Sequence, residues 1–308
     1  MENGAIIYNS LQLGVNLMMI LTRCLYYSVP YSMLTSVYTC HPVLQPYIQA
    51  YMHCSVGDRQ QRIELDLFPV GHGVLTFILD EKHFLYNTEL NKSYNVRFNF
   101  TGQLDHYLHL NTSSASMIYV LFKPFGAFRI LGIPQQQFLN ECLSVSDILG
   151  DQIHSLCHKM EEQVSNPLQV INILENWLIT QLHKNSRLET DRVAHTCQQI
   201  IAGNGTLPIK KLYRLCNMSK SSLERHFKEQ VGVSPKMFSR IVRFNRVNKF
   251  LKDTATSDWQ ELIYRYGYFD QSHFIHEFKL FFGYTPSQMH LSHQNLSGHV
   301  SEHTPRTL

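Results

Sequence analysis

The residue patterns that carry most enzyme chemistry are missing from this chain. It has no G-x-S-x-G, no Walker loop, no G-x-G-x-x-G and no H-E-x-x-H, and its carboxylates are dispersed. Acyl transfer, glycine-loop phosphate binding and zinc hydrolysis therefore lack their usual carriers, and neither an enzyme activity nor a cofactor is expected. The seven cysteines, at 24, 40, 54, 142, 157, 197 and 216, include no C-x-x-C pair. An odd, scattered set argues against a disulfide framework and a thiolate zinc site, and fits a reducing cytoplasm. Long apolar runs are also lacking. "LQLGVNLMMIL" (11–21) is too short to span a bilayer, and it has neither the basic flank nor the small-residue cleavage site of a signal peptide. Residues 1–33 read as a poorly defined lead-in, with no membrane partner expected and a membrane anchor as the minor alternative.

Histidine is plentiful, with 17 in the chain, but not arranged as a ligand set. His106 and His109 lie three apart, and His53, His72 and His83 fall near strand-like runs, yet no group has metal-ligand spacing. No metal site is expected.

At 308 residues with 44% hydrophobic and 17% charged residues, the chain has the composition of an ordinary globular protein and the length for two domains. Its charge is segregated. Residues 1–185 carry 10 Lys and Arg against 14 Asp and Glu, a net of −4; residues 186–308 carry 17 against 10, a net of +7. A basic third on a mildly acidic remainder suggests a polyanionic partner for one domain only.

From about 40 to 135, "RIELDLFPV", "GVLTFILD", "SYNVRFNF" and "SMIYVLFKPF" alternate or cluster apolar residues in short runs separated by turn residues. This predicts an antiparallel sheet, sandwich or small barrel. Its aromatics (Phe68, Phe77, Phe84, Phe98, Phe100) either pack or line a ligand pocket. Helical patterns follow. "SVSDILGDQIHSLCHKMEEQV" (144–164) places Ile148, Ile153, Leu156, Cys157 and Met160 on one side, and "NPLQVINILENWLITQL" (166–182) starts with Asn166 as N-cap and Pro167 at N1. The stripe Leu168, Ile171, Leu174, Leu178 and Leu182 either covers the sheet or forms a homodimer seam. "AGNGTLP" (202–208) reads as a boundary, with everything after it to about 290 helical.

Within that last stretch something is built twice. A shift of 51 positions pairs Leu223 with Phe274, Phe227 with Phe278, Lys228 with Lys279, Gly232 with Gly283 and Pro235 with Pro286. Each copy has a short helix ("IKKLYRLC", "DWQELIYRY"), a tight turn ("NMS", "GYFD") and a second helix with a buried apolar stripe, which is the pattern of a helix-turn-helix. The second turn is one residue longer. The solvent side holds Lys220, Ser221, Ser222, Glu224, Arg225 and Lys228 in the first copy and Gln271, Ser272, His273, His276 and Lys279 in the second. Side chains of these types read base edges or meet phosphate. Between the copies, "SPKMFSRIVRFNRVNKFLKD" (234–253) predicts a helix roughly 27 Å long at 1.5 Å per residue. That length suits holding two recognition helices near the roughly 34 Å spacing of successive major grooves. Its basic residues include Arg243, counted with the DNA-contacting set.

Residues 207–289, through "MSKSSLERHFKEQVGVSPKMF", "RFNRVNKFL" and "GYFDQSHFIHEFKLFFGYTPSQM", resemble the DNA-binding domain of the AraC/XylS family of bacterial transcriptional regulators. The resemblance implies a sequence-specific, cytoplasmic activator with double-stranded DNA and RNA polymerase as partners. Tyr213 and Ile263 depart from it, standing where the family usually has a small residue. So does His276, which replaces a usual Arg or Lys and is charged only when protonated. The family's DNA-repair relatives carry a reactive cysteine after proline; no cysteine here follows one. More weakly, "HPVLQPYIQAYMHC", "DLFPVGHGVLTFIL" and "YVLFKPFGAFRILGIP" resemble the sensor domain of a subgroup, implying a small-molecule effector. The expected fold is α+β: a lead-in (1–33), a β-rich sensor domain with covering helices (34–185), a linker (186–206), an all-α domain of two helix-turn-helix motifs joined by a long helix (207–290) and a tail (291–308). The competing reading is a small-molecule or protein-interaction module whose helix pair no longer reads DNA.

Overall fold

The computed structural model describes residues 33–56, 63–81, 85–87, 91–94, 96–114, 116–254 and 259–288. The expected lead-in (but for Met33) and tail lie outside them. The described strands are β1 (Met33–Tyr38), β2 (Ile48–Val56), β3 (Ile63–Leu67), β4 (Val74–Ile78), β5 (Leu85–Asn87), β6 (Lys92–Tyr94), β7 (Phe98–Thr101), β8 (Leu108–Thr112), β9 (Ser116–Phe122) and β10 (Cys142–Ser144). They form one six-stranded sheet in the order β1-β2-β9-β4-β7-β10 and one four-stranded sheet in the order β3-β8-β5-β6, antiparallel throughout.

Alternation along the central strands explains the layering. On β9, Ile118, Val120 and Phe122 join the core beneath the helices, while Met117, Tyr119 and Leu121 join a second cluster on the opposite face. On β4, Leu75 and Phe77 go one way and Val74 and Ile78 the other. Both faces are therefore apolar, which is why "VLTFI" reads as a continuous run.

The helical cover comprises α1 (Gly126–Leu131), α2 (Val145–Leu149), α3 (His154–Glu161) and α4 (Pro167–Lys184). Asn166 Oδ1 accepts from the Gln169 amide at 3.2 Å with Pro167 at N1, the start expected for α4. Ile171, Leu174, Leu178 and Leu182 are buried against the sheet, so most of the stripe is occupied by the chain's own core; Leu168 stays 42% exposed. The single helix expected over 144–164 is instead broken: α2 ends at Gly150, and a 3-10 turn (Asp151–Ile153) leads into α3. The Gly150 amide closes α2 on Ser146 O at 2.7 Å, with its own φ at +72°, outside the helical region.

The helical unit consists of α5 (Asp191–Ala202), α6 (Ile209–Leu215), α7 (Lys220–Val231), α8 (Pro235–Thr254), α9 (Trp259–Arg265) and α10 (Gln271–Phe282). The expected linker over 186–206 is corrected by α5, which buries Val193, Cys197 and Ile200 with Leu212, Leu223, Phe227 and Phe238. "AGNGTLP" is likewise no boundary. A Cβ on Gly205 would stand 2.2 Å from Ser239 O, so this glycine is the close approach of a turn within the helical unit onto α8. Two glycines and a proline look alike in sequence whether they loosen a chain or let it pack.

The two units meet along an apolar seam. Phe68, just after β3, lies in the core of the second helix-turn-helix, its ring 5.3 Å from that of Phe282 and 5.8 Å from that of Tyr107. The Tyr107 amide donates to Leu280 O at 3.0 Å, and Asn245 Nδ2 donates to Val70 O at 3.4 Å. Phe125 joins the core of the first unit.

Candidate nucleic-acid interface

Both helix-turn-helix units are closed by the same devices. At the turns, the Met218 amide donates to Tyr213 O at 3.1 Å and the Tyr268 amide to Ile263 O at 3.0 Å. At the N-caps, Ser219 Oγ accepts from the Ser222 amide at 3.2 Å and Asp270 Oδ1 from the His273 amide at 2.7 Å. At the C-caps, Gly232 and Gly283 each donate to the lysine four residues back, Lys228 O and Lys279 O, both at 2.9 Å. Their φ angles, +95° and +82°, are the left-handed values that favour glycine. Tyr213 and Ile263, the large residues in place of small ones, are partly buried against their respective cores.

These caps leave two matching faces exposed. On α7, Lys220, Ser221, Arg225 and Lys228 are exposed and Glu224 is half-buried; at about 100° per residue they span an arc of about 140°. On α10, Gln271, Ser272, His273, His276 and Lys279 are exposed over an arc that includes the same angles. At the 51-residue offset Lys220 matches Gln271, Ser221 matches Ser272, Arg225 matches His276, and Lys228 matches Lys279. Ser222 turns toward the flank, half-buried, its hydroxyl 3.3 Å from His226 Nδ1. The aromatics Phe274, Phe278, Phe281 and Phe282 are at most 1% exposed and form the core.

Arg243 does not join this surface. Its guanidinium donates to both Glu277 oxygens, at 3.2 and 2.8 Å, and lies 4.4 Å from the Tyr268 ring centroid. Arg240 Nε holds the same carboxylate at 2.5 Å. Glu277 is fully buried on α10, and its side chain ties the recognition helix to α8. The sequence reading counted Arg243 with the DNA-contacting set as one of the basic residues on the charged side of the long helix, and nothing local marks Glu277, 34 positions on, as its partner. The sequence reading also passed over Tyr264 and Phe269, both 91% exposed beside the second turn. Their positions off the apolar stripe of that unit were the available signal.

A second feature lies between the two sheets. A partly open cavity is walled by apolar side chains such as Val74, Ile78, Leu104, Leu110 and Met117. Thr76, Asn99 and Thr112 supply polar groups, and among the described residues no Lys, Arg, Asp or Glu lines it. His72 borders it, and enclosure pushes this imidazole down to about 4, against the contrary pull of its contact with Gly73 O at 3.2 Å. The described lining is thus uncharged at neutral pH. Elsewhere, burial pushes the thiols of Cys40 and Cys54 up to about 11 and about 12, so neither is a thiolate at neutral pH. Among the described residues no three His, Cys, Asp or Glu converge as a metal site, and no helix is long and apolar enough to cross a membrane.

Residues 212–291 match the family described as "Helix-turn-helix domain". Ahead of this match, residues 36–144 match a family described as a domain of unknown function (DUF6597). The HTH-type transcriptional regulator MtrA of Neisseria gonorrhoeae is 24% identical over 196 residues, which are 63% of this chain and 59% of MtrA. The chain thus spans about three fifths of the curated relative it matches. Among solved structures, fatty-acid-bound ToxT from Vibrio cholerae shares 12% identity at a TM-score of 0.41, covering 86% of this chain and 97% of ToxT. The AraC-like activator CuxR shares 13% at 0.33, covering 73% and 82%. Scores this low add nothing to what the elements themselves show.

Proposed function

We propose that this chain is a sequence-specific regulator of transcription that lays α7 and α10 of its AraC-type domain into successive major grooves of double-stranded DNA. One observation carries the reading: two capped helices whose exposed positions coincide at the repeat offset and hold donors, acceptors and cations (Lys220, Ser221, Arg225 and Lys228; Gln271, Ser272, His273, His276 and Lys279). In this role Lys220, Arg225, Lys228 and Lys279 neutralise phosphate, while Ser221, Gln271, Ser272 and His273 meet base edges. The first unit is the stronger electrostatic anchor, because Arg225 stands where the second has His276. The β-rich unit is the sensor, the chain works in the cytoplasm, and activation by contact with RNA polymerase follows from the family resemblance. The lining favours a neutral, largely apolar effector, since a carboxylate or ammonium would find no counter-ion among the described residues that wall the cavity.

The test is binding of the full chain to DNA from upstream of its own gene at several salt concentrations. Sequence preference and a log–log salt slope of several phosphates are expected. Binding that is absent, or indifferent to sequence, overturns the regulator reading and leaves the cavity to a small-molecule-binding module.

A further inference from the structure

The β7–β8 loop, Gly102–Tyr107, touches three things at once. Gly102 and Leu104 line the cavity between the sheets. Gln103, pointing the other way, packs against the C-cap of α7: a Cβ on Gly232 would lie 3.2 Å from its Cγ. Tyr107 packs against the C-cap of α10, where a Cβ on Gly283 would lie 2.6 Å from its ring, and its amide bonds Leu280 O. Resting on the regulator reading above, we infer that this loop is the coupling element: an occupant of the cavity displaces Leu104, and the loop passes that displacement to both recognition helices through their glycine C-caps.

Three features suit the loop to that task. Alternation puts Leu104 on the cavity side and Gln103 on the helix side of one short segment, so neither can move alone. Both C-caps are glycines in left-handed backbone, and it is they that allow the loop to approach so closely. Gln103 is 2% exposed, yet neither its Nε2 nor its Oε1 has a hydrogen-bond partner. A buried amide left unpaired weakens the closed arrangement and is relieved when the seam opens. The brace is therefore poised to release.

The test is hydrogen exchange of the full chain with and without N-phenyl-1-naphthylamine, a neutral apolar fluorophore, as the cavity probe. Probe binding should change exchange of the Gly232 and Gly283 amides by about fivefold or more. Gln103→Ala should abolish the response at Gly232 and keep it at Gly283; Tyr107→Ala should do the reverse, both with unchanged probe affinity. Gln103→Ala removes an unsatisfied amide and is expected to fold if Tyr107→Ala does not. Failure of the probe to bind, probe binding that leaves both caps silent, or responses that survive both substitutions overturn the inference. None of these readouts uses DNA, so a failure here is distinct from a failure of sequence-specific binding.

Discussion

Arg225 and Arg243 are the same residue type in the same basic domain, and the structure assigns them opposite work. Arg225 is exposed on α7, whereas Arg243 is held by a fully buried carboxylate. Arg225→Ala should lower the salt slope of DNA binding by about 1 while leaving stability within about 0.5 kcal/mol, measured by titration and by denaturant melts. Glu277→Gln should cost about 3–5 kcal/mol, because it leaves Arg240 and Arg243 facing a neutral amide in a buried site. His72 gives a pH signature. Its imidazole titrates near 4 in the folded chain against 6.5 unfolded, so the unfolded chain binds more protons between those values. Stability should therefore fall as pH drops from about 6.5 toward 4, at up to about 1.4 kcal/mol per pH unit, with half-buried His53 pulling the same way. A melting series on His72→Gln should show a flatter decline. Which residues face solvent on α7 and α10 was readable from helical spacing. The fate of Arg243 was not, because its partner lies 34 positions away and carries the charge from inside the core.

Helix ends were the most legible elements. Asn166 caps as its sequence context implies, and Ser219 and Asp270 cap the recognition helices in the same way, because a cap is a contact between residues three apart. Ser219→Ala and Asp270→Ala should each cost about 1 kcal/mol in thermal melts. Each should also weaken DNA binding, since the capped turns carry Lys220 and Ser221 in one copy and Gln271 and Ser272 in the other. The C-caps should be more costly and unequal. Left-handed backbone alone costs an alanine about 1–2 kcal/mol, and Gly283→Ala also drives a methyl into the Tyr107 ring at 2.6 Å, against 3.2 Å at the nearest neighbours of Gly232. A larger drop in melting temperature is expected for Gly283→Ala. The elements misread were those whose glycines had two meanings: Gly150 ends a helix inside an apolar stripe, and Gly203 with Gly205 looked like a linker while serving a packed turn.

Across the molecule, the charge division of −4 and +7 is matched by a structural division, yet the halves are not independent. Phe68 leaves the sheet to sit at 1% exposure among the aromatics of the second helix-turn-helix. Phe68→Ala should cost about 3–5 kcal/mol and split one cooperative melt into two. The two tryptophans report the halves separately: Trp177 packs on the sandwich core and Trp259 against Phe274 and Phe278. Fluorescence melts of Trp177→Phe and Trp259→Phe chains, with and without the Phe68 change, should coincide in the first case and diverge in the second.

The duplicated helices, their caps, their exposed faces and the basic character of the last third could all be read from the order of residues, since each rests on neighbours within a turn or two or on a simple tally of charge. The ion pair that removes Arg243 from the surface, the cavity between the sheets and the loop lodged against both C-caps depend on groups far apart in the chain, such as Val70 and Asn245, 175 positions from one another. No local preference encodes such meetings; they arise when two apolar faces find each other and exclude water.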